Sequence, residues 1–345
     1  MTPLAVWALS LALGGNAPAA APEVLDRVSF ADQQVAYSGE QLVTTWEEKL
    51  PQAFWVHVQH DPAVGTRLVI RSAAGAHRQV VWHTPHHVLQ YDARTRQGRV
   101  YRFSHGRVSR RTQVTWLQRN YFLTASPTQL LGRPALRLHL TPRHPGRPRA
   151  DLRVDTETGV VLRSERISPD GRSRELATFV RFAVRPVGWM RPSRPPADLQ
   201  LQREPPVRSV TLDEVAARWG RQPPEVWLPA GFYPMTPYLL EGSVVRRAYS
   251  DGLATLLVSI RPAVSPQPPA GSRPVHRTGG PVWVQSAGLR QVLYWTYAGW
   301  SFTLIGELGP EALLEVADRT GVQPAPTVLE ALLRWLGHSL RLSDL

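Results

Sequence analysis

The densest group of chemically useful side chains in the 345 residues is His83-Thr84-Pro85-His86-His87. Imidazoles this close could hold a metal ion if they converged and had acceptors behind them. The next carboxylate along the chain is Asp92, and Thr-Pro reads as a turn at a strand end, so the spacing favours an exposed turn over a metal site. The chain has no cysteine, which excludes disulfides, thiolate ligands, thiol nucleophiles and a lipidated N-terminal Cys. No G-x-S-x-G elbow, H-E-x-x-H pair, P-loop or G-x-G-x-x-G turn occurs. A Ser-His-Asp triad is defined by geometry, and no local motif supplies one. The sequence predicts a binding protein, not an enzyme, with no metal and no cofactor.

The residues that could bind are apolar. Phe54, Val56, Leu68, Ile70, Trp82, Tyr91, Tyr101 and Phe103 recur at alternate positions in a series of strand-like segments. A curved sheet lined by them could enclose a cavity for a lipid or acyl chain. The same residues could equally form an ordinary core packed against a helix.

These positions need a scaffold. Pro22 to Gln33 reads as a short helix with Val24, Leu25, Val28 and Phe30 as its apolar contribution. Period-two alternation then runs from about residue 35 to 185, with turn chemistry at Asp155–Gly159 and Ser168–Gly171. This predicts a large antiparallel sheet, polar outside, with a helix on its apolar face. Residues 186–206 hold six prolines between arginines and read as a linker after a first domain at 22–185. In the second domain, 207–322, Thr211 and Glu214 form a capping box before Leu212, Val215, Ala216 and Trp219, and Gly220 stops that helix. Strands are predicted at 244–249, 254–261, 282–286, 289–297 and 300–306, the last two joined at Ala298-Gly299. Pro310 opens a helix that runs to Gly321, giving a small α+β unit. Residues 323–345 end in an amphipathic helix with Leu329, Leu332, Leu333 and Leu336 on one face, capped by Thr327 and Glu330. The loop 265–280 is rich in Pro and Gly.

At the other end, Leu4 to Gly14 is apolar but too short to cross ~30 Å of hydrocarbon. With Ala17-Pro18-Ala19 it reads as a signal peptide, residues 1–19, cleaved near Ala19; the alternative is an apolar first element of the fold. The chain is expected to be exported and not membrane-spanning. Its net charge of +13 is almost wholly Arg, spread along strands and turns. With no basic tail or recognition-helix pattern, nucleic acid is not an expected partner. Anionic lipid headgroups, cell-wall polymers or an acidic protein segment fit an exported basic protein, as does a merely solvated surface.

Trp227-Leu228-Pro229-Ala230-Gly231-Phe232, then Tyr249-Ser250-Asp251-Gly252-Leu253, then Gly306-Glu307-Leu308-Gly309-Pro310 come in an order and spacing similar to the C-terminal domain of the MucB/RseB family. The first domain is similar to the family's N-terminal domain, best at Asp155–Gly159 and the strands that follow. The resemblance covers about residues 22–320 and implies a half-barrel wrapped around a helix, akin to lipoprotein carriers. It also implies a periplasmic regulator that binds the outward part of a membrane-spanning anti-sigma factor, shields it from a protease, and lets go when it binds an acylated or anionic envelope lipid. The alternative is a carrier of lipid or lipoprotein. Trp227, Gly231, Tyr249, Ser250, Asp251, Gly252, Gly306 and Pro310 carry the motif and read as structural more than partner-contacting.

Overall fold

The computed structural model describes residues 20–47, 50–73, 78–84, 87–102, 108–191, 196–203, 207–263, 268, 270–277 and 280–320. The predicted leader, Pro85-His86, Phe103, residues 264–267, 269 and 278–279, Gly321 and the predicted C-terminal helix lie outside them.

The chain opens with α1 (Ala20–Gln34) and six strands: β1 (Ala36–Glu47), β2 (Leu50–Asp61), β3 (Gly65–Ser72), β4 (Arg78–His83), β5 (His87–Asp92) and β6 (Gln97–Arg102). Then come α2 (Arg110–Asn120), β7 (Tyr121–Leu130), β8 (Arg133–Pro142), β9 (Arg149–Asp155), β10 (Val161–Ile167), β11 (Arg174–Arg185) and β12 (Gln200–Arg203). Their order across one 12-stranded sheet is β12-β6-β5-β4-β3-β2-β1-β11-β10-β9-β8-β7. Every pairing is antiparallel except β12 with β6. The expected large antiparallel sheet around a helix is what the chain builds. One face of it buries Val24, Leu25 and Val28 of α1 with Leu138, Leu140, Leu152 and Val154, and Ala31 with Val56, Leu68, Ile70 and Leu162. Phe30 departs from the sequence reading: it is exposed, and Ala31 takes the buried position instead.

The stretch read as a linker is tied down at several points. The Trp189 indole N–H donates to the His60 carbonyl and the Met190 N–H to Asp61 Oδ2. Residues 200–203 then run parallel to β6 as an edge strand.

The second sheet holds nine strands: β13 (Arg208–Val210), then after α3 (Leu212–Trp219) β14 (Tyr233–Pro234), β15 (Tyr238–Glu241), β16 (Val244–Ser250), β17 (Thr255–Pro262), β18 (Arg273–Arg277), β19 (Gly280–Ala287), β20 (Arg290–Tyr297) and β21 (Trp300–Gly306), with α4 (Pro310–Arg319) at the end. The capping box at Thr211 and Glu214 forms, and Gly220 takes the left-handed conformation that ends α3. The β20–β21 hairpin turns on Ala298 and Gly299, both at positive φ. Leu313, Leu314 and Val316 of α4 pack on Leu256, Val258 and Leu304, forming a separate core. Among the described residues no helix is long and apolar enough to cross a membrane.

Candidate functional site

Strand register divides the apolar candidates between two faces. Val56 pairs with Ile70, and Val58 with Leu68, so these residues and Phe54 share the face that α1 covers. Leu68 pairs with Val81, and Val81 with Gln90, so in the next strands that face carries odd-numbered β4 and even-numbered β5 positions. Trp82 therefore stands across from Arg67 and Leu89, and Tyr91 across from Val80 and Gly98, on the opposite face. Tyr101 pairs with Val88. Alternation within a strand gives the parity of that strand alone; the turn between strands sets their relative parity. Val56, Leu68 and Ile70 are buried against Ala31, Leu162 and Phe179, with Phe54 half-buried at the margin. Trp82 is buried too, in company with Val69, Val80 and Leu89 on its own face.

His83 and His87 lie at the two ends of the β4–β5 turn, where the Thr84 hydroxyl shares a hydrogen bond with His87 Nδ1 at 3.1 Å. Among the described residues no three His, Cys, Asp or Glu side chains converge as a metal site would require.

Trp227 and Tyr249 pack in the second domain's own core and a Cβ on Gly306 would meet Leu256 and Leu313 there, but the turn between Tyr249 and Leu253 reaches the first domain. Tyr249–Leu253 forms a turn whose Ser250 hydroxyl donates to the Ala254 carbonyl and accepts from the Gly252 N–H. Asp251 Oδ1 accepts the N–H groups of Leu253 and Ala254 at 2.9 and 2.7 Å. Its Oδ2 receives the Tyr121 hydroxyl at 3.1 Å and pairs with Arg147 at 3.0 Å, all fully buried. Gly252 has φ +103°, and a Cβ there would lie 2.4 Å from the Leu117 backbone nitrogen, so α2 and this turn touch backbone to backbone. Leu253 enters the first domain's core beside Leu117, Tyr121 and Leu138.

The other two motif segments meet the same surface. Asn120 Nδ2 lies 3.0 Å from the Gly231 carbonyl and 2.9 Å from that of Asp251, and Arg147 also donates to the Ala230 carbonyl. Arg166 grips Glu307 through two hydrogen bonds of 3.1 and 2.6 Å and donates to the Leu253 carbonyl. The Gly309 N–H donates to the Gly146 carbonyl. Burial, then the Asp251 charge, holds the Tyr121 phenol well above its ordinary range, so it remains a donor. Burial alone would raise the Glu307 carboxyl, but the Arg166 charge and hydrogen bonds outweigh it and hold it below its usual value. Gly231, Asp251, Gly252, Leu253 and Glu307 thus form a domain junction. The sequence reads as a structural turn there and does not disclose the partners Asn120, Tyr121, Arg147 and Arg166; the available signal is a charged residue beside glycine in two of the three conspicuous segments, Asp251 and Glu307.

A sequence model of the MucB/RseB N-terminal domain matches residues 20–208, more than half of the chain. The fold is similar to MucB in the Pseudomonas aeruginosa MucA/MucB complex, at TM-score 0.53 and 20% identity over 86% of this chain and 96% of that one. A second structure, MucB in complex with MucA(peri), is similar at the same TM-score and identity over 86% and 97%. No curated protein sequence matches. The residue range covered by the family's N-terminal domain takes in the whole 12-stranded sheet, and the chain belongs to the MucB/RseB family.

Proposed function

We propose that this protein is an exported regulator that binds the extracytoplasmic segment of an anti-sigma factor and shields it from proteolysis. One observation carries this over a lipid or lipoprotein carrier. The likeness to MucB held with MucA extends over both domains, nearly the whole of that chain, whereas a carrier of this kind needs the first sheet alone. The absence of catalytic motifs agrees with a binding role. The site of action is the periplasm, reached through cleavage near Ala19, so N-terminal sequencing of protein from the native host is expected to begin near Ala20.

The test is protease protection. An anti-sigma ectodomain from the same genome, incubated with an envelope protease, is expected to survive longer when this protein is added in stoichiometric amount. Equal digestion with and without the protein, together with no complex on gel filtration, would remove the reading.

An amphiphile is the second ligand in this proposal, its acyl part against the face of Phe54, Val56, Leu68 and Ile70 and its anionic head on surface arginines. Each buried CH₂ contributes about 0.8 kcal/mol, so a partly enclosed chain binds usefully. Delipidated protein is expected to show saturable binding of a fluorescent fatty-acyl probe and to release the ectodomain as the probe binds; unsaturable, non-competitive uptake would leave the face as core only.

A further inference from the structure

We infer that the partner's segment docks on the free edge of β7 as an added strand, with acidic side chains over the depression lined by Thr124, Ser126, Arg137 and His139. The inference rests on the proposed partner and says where it sits. β7 ends the 12-stranded sheet, and among the described residues β8 is its one strand partner. The other sheet edges are short: β12 has four residues, β13 three and β18 five.

Hydrogen bonds fix which groups of β7 face outward. The Arg143 N–H bonds the Asn120 carbonyl, so by antiparallel alternation the even-numbered residues of β7 turn to β8 and the odd-numbered ones turn away. Tyr121 fits this, since its N–H bonds the Leu117 carbonyl of α2 instead. Leu123, Ala125 and Gln129 then present outward N–H groups, interrupted at Pro127, which has none to offer. An edge position is where a strand tolerates proline. A strand edge of this kind is a template for an extended peptide, and side chains supply the selectivity.

The side chains beside this edge call for acid. Thr124 and Ser126 are small and exposed, and directly behind them on β8 stand His139 and Arg137. Strands lie about 4.8 Å apart, so an added strand would run about 10 Å from β8, within reach of an arginine extended over a serine. The depression, about 290 Å³, has room for a carboxylate side chain. Behind Arg137 in register is Arg153, which has no acidic partner among the described residues. Arg137 itself pairs with Asp151 at 2.7 Å, so the patch is partly compensated and net positive. At the start of the edge Phe122 is 55% exposed, with the Arg143 guanidinium 3.9 Å over its ring, an apolar surface flanked by charge. An extended segment with acidic residues at alternate positions matches this arrangement.

The experiment measures amide hydrogen exchange in the full chain with and without the anti-sigma ectodomain, and titrates the ectodomain against variants. Slowed exchange is expected in β7 at Ala125 and Gln129. Ala125→Pro, which removes an outward N–H and no bond to β8, is expected to weaken binding at least tenfold, and Arg137→Gln several-fold. Arg273→Gln, on the edge of the second sheet, leaves it unchanged. Should Ala125→Pro fail to fold, the exposed Arg137→Gln and the exchange pattern still decide. Binding with no slowing in β7 and no loss in Arg137→Gln overturns the docking edge while the proposed partner stands; no binding by the wild-type chain overturns both.

Discussion

Asp251 has both carboxylate oxygens engaged, one by backbone N–H groups of its own turn and one by Tyr121 and Arg147 of the other domain. Removing it strands a guanidinium that is 2% exposed, and leaving one member of a buried pair alone costs about 3–5 kcal/mol. Asp251→Ala is therefore expected to lower the unfolding free energy measured by denaturant melts by that much, with Asp251→Asn falling between it and the wild type. His60 makes a second residue-scale case. Its Nε2 lies 2.9 Å from the Asp32 carbonyl, which can only accept, so Nε2 carries the proton and Nδ1 accepts from the Thr66 hydroxyl. Burial, opposed by Asp61, lowers its pKa from 6.5 to about 4. The unfolded imidazole takes up a proton near pH 6.5 and the folded one only near 4, so stability falls as pH drops between those values, by up to about 3 kcal/mol. Denaturant melts at pH 7 and pH 4 should show that fall, and His60→Gln should flatten it; an equal fall in the variant would assign the loss to other groups.

Elements differ in how plainly the sequence announces them. Ile70→Ala, on the face under α1, is expected to cost about 2–5 kcal/mol if that face is filled core, and less, with altered acyl-probe binding, if it walls a ligand space. Trp82→Ala serves as its counterpart, because Trp82 lies on the other face and should leave acyl-probe binding alone; loss of probe binding there would mean that the ligand does not use the α1 face. That separation is invisible from alternation, since Val56, Leu68, Ile70, Trp82 and Tyr91 look alike until register assigns them to faces. Where the local chemistry is strong, reading succeeded: the capping box of α3, Gly220, the Ala298-Gly299 hairpin and Pro310 all act as their residue types require. Where it is weak, reading failed. α2 is Arg-Arg-Thr-Gln-Val-Thr-Trp-Leu-Gln-Arg-Asn, polar at most positions and buried mainly through Leu117 and Trp116, and β7 carries a proline. Both draw their stability from what they pack against, and the docking edge proposed here belongs to an element the sequence did not disclose.

At the scale of the molecule, the two sheets keep separate cores yet share a junction of buried ion pairs, carbonyl contacts and one inserted leucine. We propose 186–206 as the boundary between two domains, and the junction sets how they behave once it is cut. A protease that cleaves between 186 and 206 is expected to leave two fragments that still elute together on gel filtration. The same cleavage in Asp251→Ala should let them part. Separation of the nicked wild-type fragments at neutral pH would show that the covalent link, not the junction, holds the domains together.

The parallel pairing of β12 with β6 bears on self-association. It covers most of the β6 edge with residues that follow the first domain in sequence, and so leaves a shorter exposed edge on that side of the sheet than β6 would. A fragment ending at residue 185 would expose the six-residue edge of β6 in place of the four-residue edge of β12, and bare strand edges recruit further strands. Such a fragment is expected to form concentration-dependent oligomers by light scattering, whereas one ending at residue 208 stays monomeric. The practical end of the first folding unit is then set by which chain closes the sheet, some twenty residues beyond the last strand of its antiparallel run.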